Sequence, residues 1–135
     1  MKKIMVLLLL LISSNVMAEW TRVTGSFDGD YGDYGDYVDV ETIKKKNNKV
    51  KMWSLLDFKT AKIVTTDNKR SLSAAVHYEY DCEEETYRLL DMYFYSGNMK
   101  TGEVVYYVSN IKEETTSILP DSLNRAFFNI ACGKK

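Results

Sequence analysis

Histidine, cysteine and long apolar runs are all scarce in this sequence, and each scarcity removes a class of function. His77 is the only histidine. A catalytic zinc site draws on three protein ligands, and no second histidine or cysteine stands at helical or strand spacing from His77, which reads as a surface residue on the polar side of its strand. The two cysteines, Cys82 and Cys132, lack the close paired spacing of a zinc motif. Serines are plentiful, yet none lies in the Gly-x-Ser-x-Gly turn of a nucleophile elbow. Basic and acidic residues nearly balance, 18 against 19, for a net charge of −1, and phosphate recognition needs a basic stripe that this balance does not supply. The sequence therefore predicts no enzyme, no catalytic residue, no cofactor, no bound metal and no nucleic-acid partner.

The longest apolar run covers residues 4–12 and has a short reach. Nine residues at about 1.5 Å each span roughly 14 Å as a helix, under half of a hydrocarbon core. Lys2 and Lys3 precede the run, polar residues follow it, and Val16 and Ala18 supply small residues before Glu19. This is the pattern of a secretory signal. The expected division is a signal peptide at 1–18 and one domain at 19–135, exported and left without a stable membrane anchor after cleavage. Two cysteines in an oxidising compartment, with no histidine cluster beside them, are expected to pair. Closing a loop of about fifty residues stabilises a fold by about 4 kcal/mol in the chain-entropy model.

Strand periodicity dominates the mature chain. Residues 20–24 alternate weakly. In residues 49–60, Val50, Met52, Leu56 and Phe58 fall on one side and Trp53 and Leu55 on the other, the pattern of a central strand covered on both faces or on one face by a second copy. Residues 71–82 alternate most cleanly, with Leu72, Ala74, Val76, Tyr78, Tyr80 and Cys82 on the core side. Strict alternation over 86–95 separates Leu90, Met92 and Phe94 from Tyr87, Leu89, Tyr93 and Tyr95. Residues 103–109 complete a hairpin, with Tyr107 beside Val105. After Pro120, Asp121 or Ser122 is expected to cap a helix whose buried stripe is Leu123, Phe127, Ile130 and Ala131, stopped by Gly133. Cys132 lies nearly opposite Leu123 on a helical wheel, so a bond from it to the sheet requires the last turn to loosen.

The stretches between strands are less informative. Gly-Asp-Tyr occurs three times, at 29–31, 32–34 and 35–37, a period of neither helix nor strand, so a loop is expected with a strand only at 37–40. Its crowded aspartates invite a cation reading, but glycine-held carboxylates are poorly preorganised and the spacing is not that of an EF-hand, so a solvated loop is preferred. Residues 41–48 read as a short helix or turn carrying a solvated lysine run. Residues 59–70 read as a loop turning at Asp67 and Asn68. The acidic group Asp81, Glu83, Glu84 and Glu85 reads as a solvated turn.

The order of several features resembles the surface-adhesin protein E family of Gram-negative bacteria: Trp20, Tyr37-Val38-Asp39, Val50-Lys51-Met52-Trp53 with Asp57-Phe58-Lys59, Tyr80-Asp81-Cys82 with Arg88, and Leu119-Pro120-Asp121-Ser122 leading to Cys132. The resemblance implies an α+β fold, a single antiparallel β-sheet of about five to six strands likened to PAS-type folds, with the C-terminal helix drawn across its concave face by a disulfide. It also implies adhesion to host extracellular proteins. Lipid-anchored members carry a cysteine at the cut that this chain lacks, which leaves cell surface or periplasm as the location.

Tyrosines on sheet faces supply rigid contact area for a partner. The candidate binding face is Trp53, Leu55, Tyr93, Tyr95 and Tyr107, with host extracellular matrix or envelope proteins as partners, and a homodimer where a second copy covers the central strand. The alternative is a periplasmic small-molecule-binding module using a cup lined by Tyr80, Met92 and Phe127.

Overall fold

The computed structural model describes residues 19–23 and 34–134. Seven strands form one antiparallel sheet: β1 (Thr21–Val23), β2 (Tyr34–Lys46), β3 (Lys49–Ile63), β4 (Arg70–Asp81), β5 (Thr86–Tyr95), β6 (Val104–Val108) and β7 (Thr116–Ser117). The first six lie side by side in chain order, and β7 joins β5 at Thr86 and Tyr87. Among the described residues a single α-helix, α1 (Leu123–Ala131), packs against β2 and β3. The α+β expectation holds, with two elements longer than the sequence indicated.

The first is β2. Residues 41–46, read as a helix or turn, continue the strand. The difference has a local cause, since pairing jumps from Asp39↔Trp53 to Lys44↔Lys51, so β2 bulges between them. Within the bulge the Thr42 hydroxyl donates to the Asp39 carbonyl (2.6 Å) and accepts from the Trp53 amide (3.0 Å), replacing a lost ladder partner. The second is the β3–β4 hairpin. Both strands run into the expected loop as far as Ile63 and Arg70, past a bulge between Asp57 and Lys62, and only the turn at Asp67 and Asn68 survives of it. Asn68 has φ +62, a conformation asparagine tolerates.

A third bulge decides which side chains meet the helix. His77 pairs with Asp91 and Tyr78 with Leu89, leaving Leu90 as an extra residue in β5. Strict alternation therefore fails across it. Tyr87 and Leu89 share the side of Met92 and Phe94 instead of joining Tyr93 and Tyr95.

The helix side of the sheet carries two apolar clusters. One is Val38, Val50, Met52 and Tyr80 against Phe127, Phe128 and Ala131 of α1. The other is Phe58, Ala74 and Val76, flanked by Leu56, Leu89, Met92 and Phe94. Full burial of each helix phenylalanine stabilises the fold by roughly 2–3 kcal/mol. Ser122 caps α1, its Oγ accepting from the Arg125 amide at 3.1 Å. Cys82 and Cys132 are bonded, with Cα atoms 5.7 Å apart. Cys132 stands just beyond the last helical residue, with φ −91 and ψ 0. The last turn loosens there, as its place on the helical wheel required. Of the aspartates in the Gly-Asp-Tyr stretch, Asp28, Asp30 and Asp33 lie outside the described residues, as do the signal segment and its cut.

Candidate functional site

Side chains alternate across a strand, so the side of the sheet away from α1 receives Tyr37 and Asp39 from β2, Trp53 and Leu55 from β3, His77 from β4, Asp91, Tyr93 and Tyr95 from β5 and Tyr107 from β6. Their rings are coupled. Trp53 stacks on His77 with ring centroids 4.5 Å apart and planes within 1°. Trp53 also lies 6.0 Å from Tyr93, and Tyr93 stacks on Tyr107 at 5.6 Å. Arg22 of β1 sits over the Tyr37 ring at 5.8 Å. Rings stacked on neighbours one strand away stand on edge above the sheet, so hydroxyls and ring edges face outward.

This row brings together most of the expected binding residues and sorts them. Tyr107 is 61 % exposed on the outermost strand. Trp53, Tyr93 and Tyr95 are partly buried, and burial together with Tyr93 raises the Tyr95 phenol above its ordinary range. Leu55 is 0 % exposed, so it forms the floor between rings and offers no contact surface. Periodicity could not show this, because a strand pattern tells which side a residue faces and not how tall its neighbours are.

His77, expected as a lone surface residue, has a larger part. Its Nδ1 lies 2.9 Å from Asp91 Oδ2. A carboxylate only accepts, so Nδ1 carries the proton. Burial pushes Asp91 up, but the His77 hydrogen bond, the Asn110 amide and the charges of His77 and Lys51 outweigh it and hold this carboxyl below its ordinary range. The pair clamps the imidazole flat against Trp53. The signal for it was present in register, since His77 and Asp91 are cross-strand partners, but the bulge at Leu90 hid that pairing. A histidine with an aspartate is two thirds of a hydrolytic triad; among the described residues no Ser, Thr or Cys hydrogen-bonds either ring nitrogen.

The rim is built by a 3-10 turn at Asn98–Lys100. There the Met99 amide donates to Asp57 Oδ1 at 2.7 Å and the Lys100 amide to Ser73 Oγ at 2.9 Å, tying the turn over one end of β3 and β4. At the other end, Arg88 Nε donates to Glu79 Oε1 at 2.9 Å. No group of three or more His, Cys, Asp or Glu among the described residues is arranged to hold a metal ion. The residues expected to line a small-molecule cup are divided: Tyr80 and Phe127 are packed in the cluster under the helix, and Met92 flanks the other.

Residues 20–133 match the profile of the family described as surface-adhesin protein E. The chain belongs to that family. No curated protein matches it. Among solved structures it is similar to crystal form II of Haemophilus influenzae protein E, at 18% sequence identity over 84% of this chain and 96% of that one, with a TM-score of 0.58. A structure of protein E from non-typeable Haemophilus influenzae matches at 19% identity over 84% of this chain and 86% of that one, with a TM-score of 0.53. At such identity the likeness is one of fold. The adhesin E fold thus accounts for the sheet, the terminal helix and the disulfide, and the outer aromatic row is built by this chain's own side chains. No helix among the described residues is long and apolar enough to cross a membrane.

Proposed function

We propose that this adhesin E family member is an exported, non-enzymatic binding protein that takes a host extracellular or envelope protein onto the outer face of its sheet. The observation that carries this reading is the ring row from Trp53 and His77 through Tyr93 to Tyr107. Stacked rings are already ordered, so a partner meets a large area without the entropy cost of freezing side chains. Tyrosine hydroxyls standing on edge supply hydrogen bonds, the combination that antibody paratopes also use. A second copy of the chain has the same chemistry to offer, and a homodimer is a special case of this proposal. Export rests on the signal pattern of residues 1–18, with the periplasm or the cell surface as destination.

The test is binding of the secreted protein to immobilised extracellular-matrix and envelope proteins, alongside Trp53→Ala and Tyr107→Ala variants. Loss of binding by about tenfold or more per ring, the scale of an interface hot spot, is the expected result. Unchanged binding by both variants rejects this face. Light scattering of the same samples reads the homodimer.

A further inference from the structure

The end of the β2–β3 hairpin carries a concentration of one charge that the aromatic face does not explain. Lys44 pairs across the strands with Lys51, and Lys46 with Lys49. Like charges directly opposite are destabilising, and a local rule broken twice in one hairpin marks a functional position. All four point to the outer side, and all four are exposed, as is Lys45 between them. They line an open cleft of about 690 Å³ together with Asn47, Asn48 and two carboxylates.

Neither carboxylate forms an ion pair with them, so two negative charges stand among five positive ones. Glu79, opposite Lys51, is engaged by Arg88 at 2.9 Å. Asp81, opposite Lys49, accepts from the Glu83 and Glu84 amides, each at 3.0 Å. Among the described residues none of the five lysines forms an ion pair. The turn itself is held: the Cys82 amide donates to the Asn48 carbonyl at 2.8 Å, and the Asn48 side chain donates to Glu83. Asn47 takes the left-handed conformation at φ +57 that a tight hairpin needs.

From this we infer that the hairpin cleft binds the anionic groups of a sulfated polysaccharide. Four lysines rooted about 5 Å apart across strands and about 7 Å apart along them form an array that suits a chain bearing charge on every sugar. Lysine is a compact point charge without the planar fork that grips carboxylates two at a time, so the array selects for density of charge, which a sulfated sugar chain supplies. No apolar side chain lines the cleft, which disfavours insertion into a lipid surface. A rigid duplex wide enough to lie across the adjoining Glu83, Glu84 and Glu85 meets more of their repulsion than a single narrow strand seated on the hairpin end. This inference does not rest on the aromatic face.

The experiment measures binding of the purified disulfide-bonded protein to heparin across a salt series, with Lys44→Gln/Lys51→Gln and Lys46→Gln/Lys49→Gln variants. Binding by a net-negative protein that weakens steeply with salt is expected. Each double variant is expected to lose about thirtyfold, from roughly fivefold per ammonium beside an anionic surface. Relief of the like-charge pairs keeps both variants folded, with melting temperatures no lower than the parent's. Trp53→Ala and Tyr107→Ala leave heparin affinity unchanged, which separates this site from the aromatic one. No binding to heparin overturns the inference, as does equal loss in the ring variants. So does equally tight binding to polyglutamate, to duplex DNA or to phosphatidylglycerol vesicles.

Discussion

Asp36 offers a prediction whose size and sign both follow from its place in β2. It pairs with Val23 on one side and Leu56 on the other, is 8 % exposed, and its Oδ1 is buried with no hydrogen-bond partner. Burial lifts its carboxyl from 3.8 to about 6, against the pull of Arg22. A carboxyl raised in the folded state binds a proton there before the unfolded chain does, so stability rises as pH falls from about 7 to about 4 and is lowest when both states are ionised. The shift corresponds to about 3 kcal/mol for a carboxylate kept wholly from water, and about half that once water reaching it is allowed for. Asp36→Asn removes the charge at nearly constant shape. Urea unfolding of parent and variant across this pH range is expected to show the variant gaining about 1.5–3 kcal/mol relative to the parent between the acid and the alkaline end. The other perturbed carboxyls act in a different window. Thr65 holds Asp67 down, Arg125 holds Glu85 down, and Asp91 is held down as described; their contribution is present above about pH 4 and lost below it. Parallel stability curves for parent and Asp36→Asn would refute the reasoning, because they would mean Asp36 titrates alike in both states.

Replacing both cysteines by serine frees a loop closed over a sequence separation of 50, and a loss of about 4 kcal/mol is expected, read as a lower urea midpoint; an unchanged midpoint would show that the unfolded chain gains nothing from the cut. Ser122→Ala removes the oxygen that accepts from the Arg125 amide and is expected to cost about 1 kcal/mol, measured the same way, with Ser122→Asp restoring it.

The residues that were legible in the sequence are those whose signal is local. The alternation from Leu72 to Cys82 and the cap at Ser122 needed only neighbours along the chain, and the two cysteines needed only the compartment. What escaped lies at three of the sheet's bulges. At Thr42 a side-chain hydroxyl replaces a backbone partner, so a strand reads as a turn. Past Asp57 the strand continues through residues too polar to look like one. At Leu90 an unpaired residue reverses the parity of Tyr87 and Leu89, and with it the side on which they pack. The candidate face was legible in its membership more than in its structure. Tyr93, Tyr95, Tyr107 and Trp53 could be assigned to one side, while the burial of Leu55 and the partnership of His77 with Asp91 depend on heights and registers across strands that no single segment encodes.

The odd residue in β5 has a further consequence for how this protein can change over generations. It acts as a gearbox between two halves of one strand, letting Tyr87 serve the interior while Tyr93, six positions on, serves the exterior. Deleting Leu90 would couple the halves again and turn one set of rings to the wrong surface. With it in place, residues that meet a partner are free to diversify without disturbing those that seat the helix.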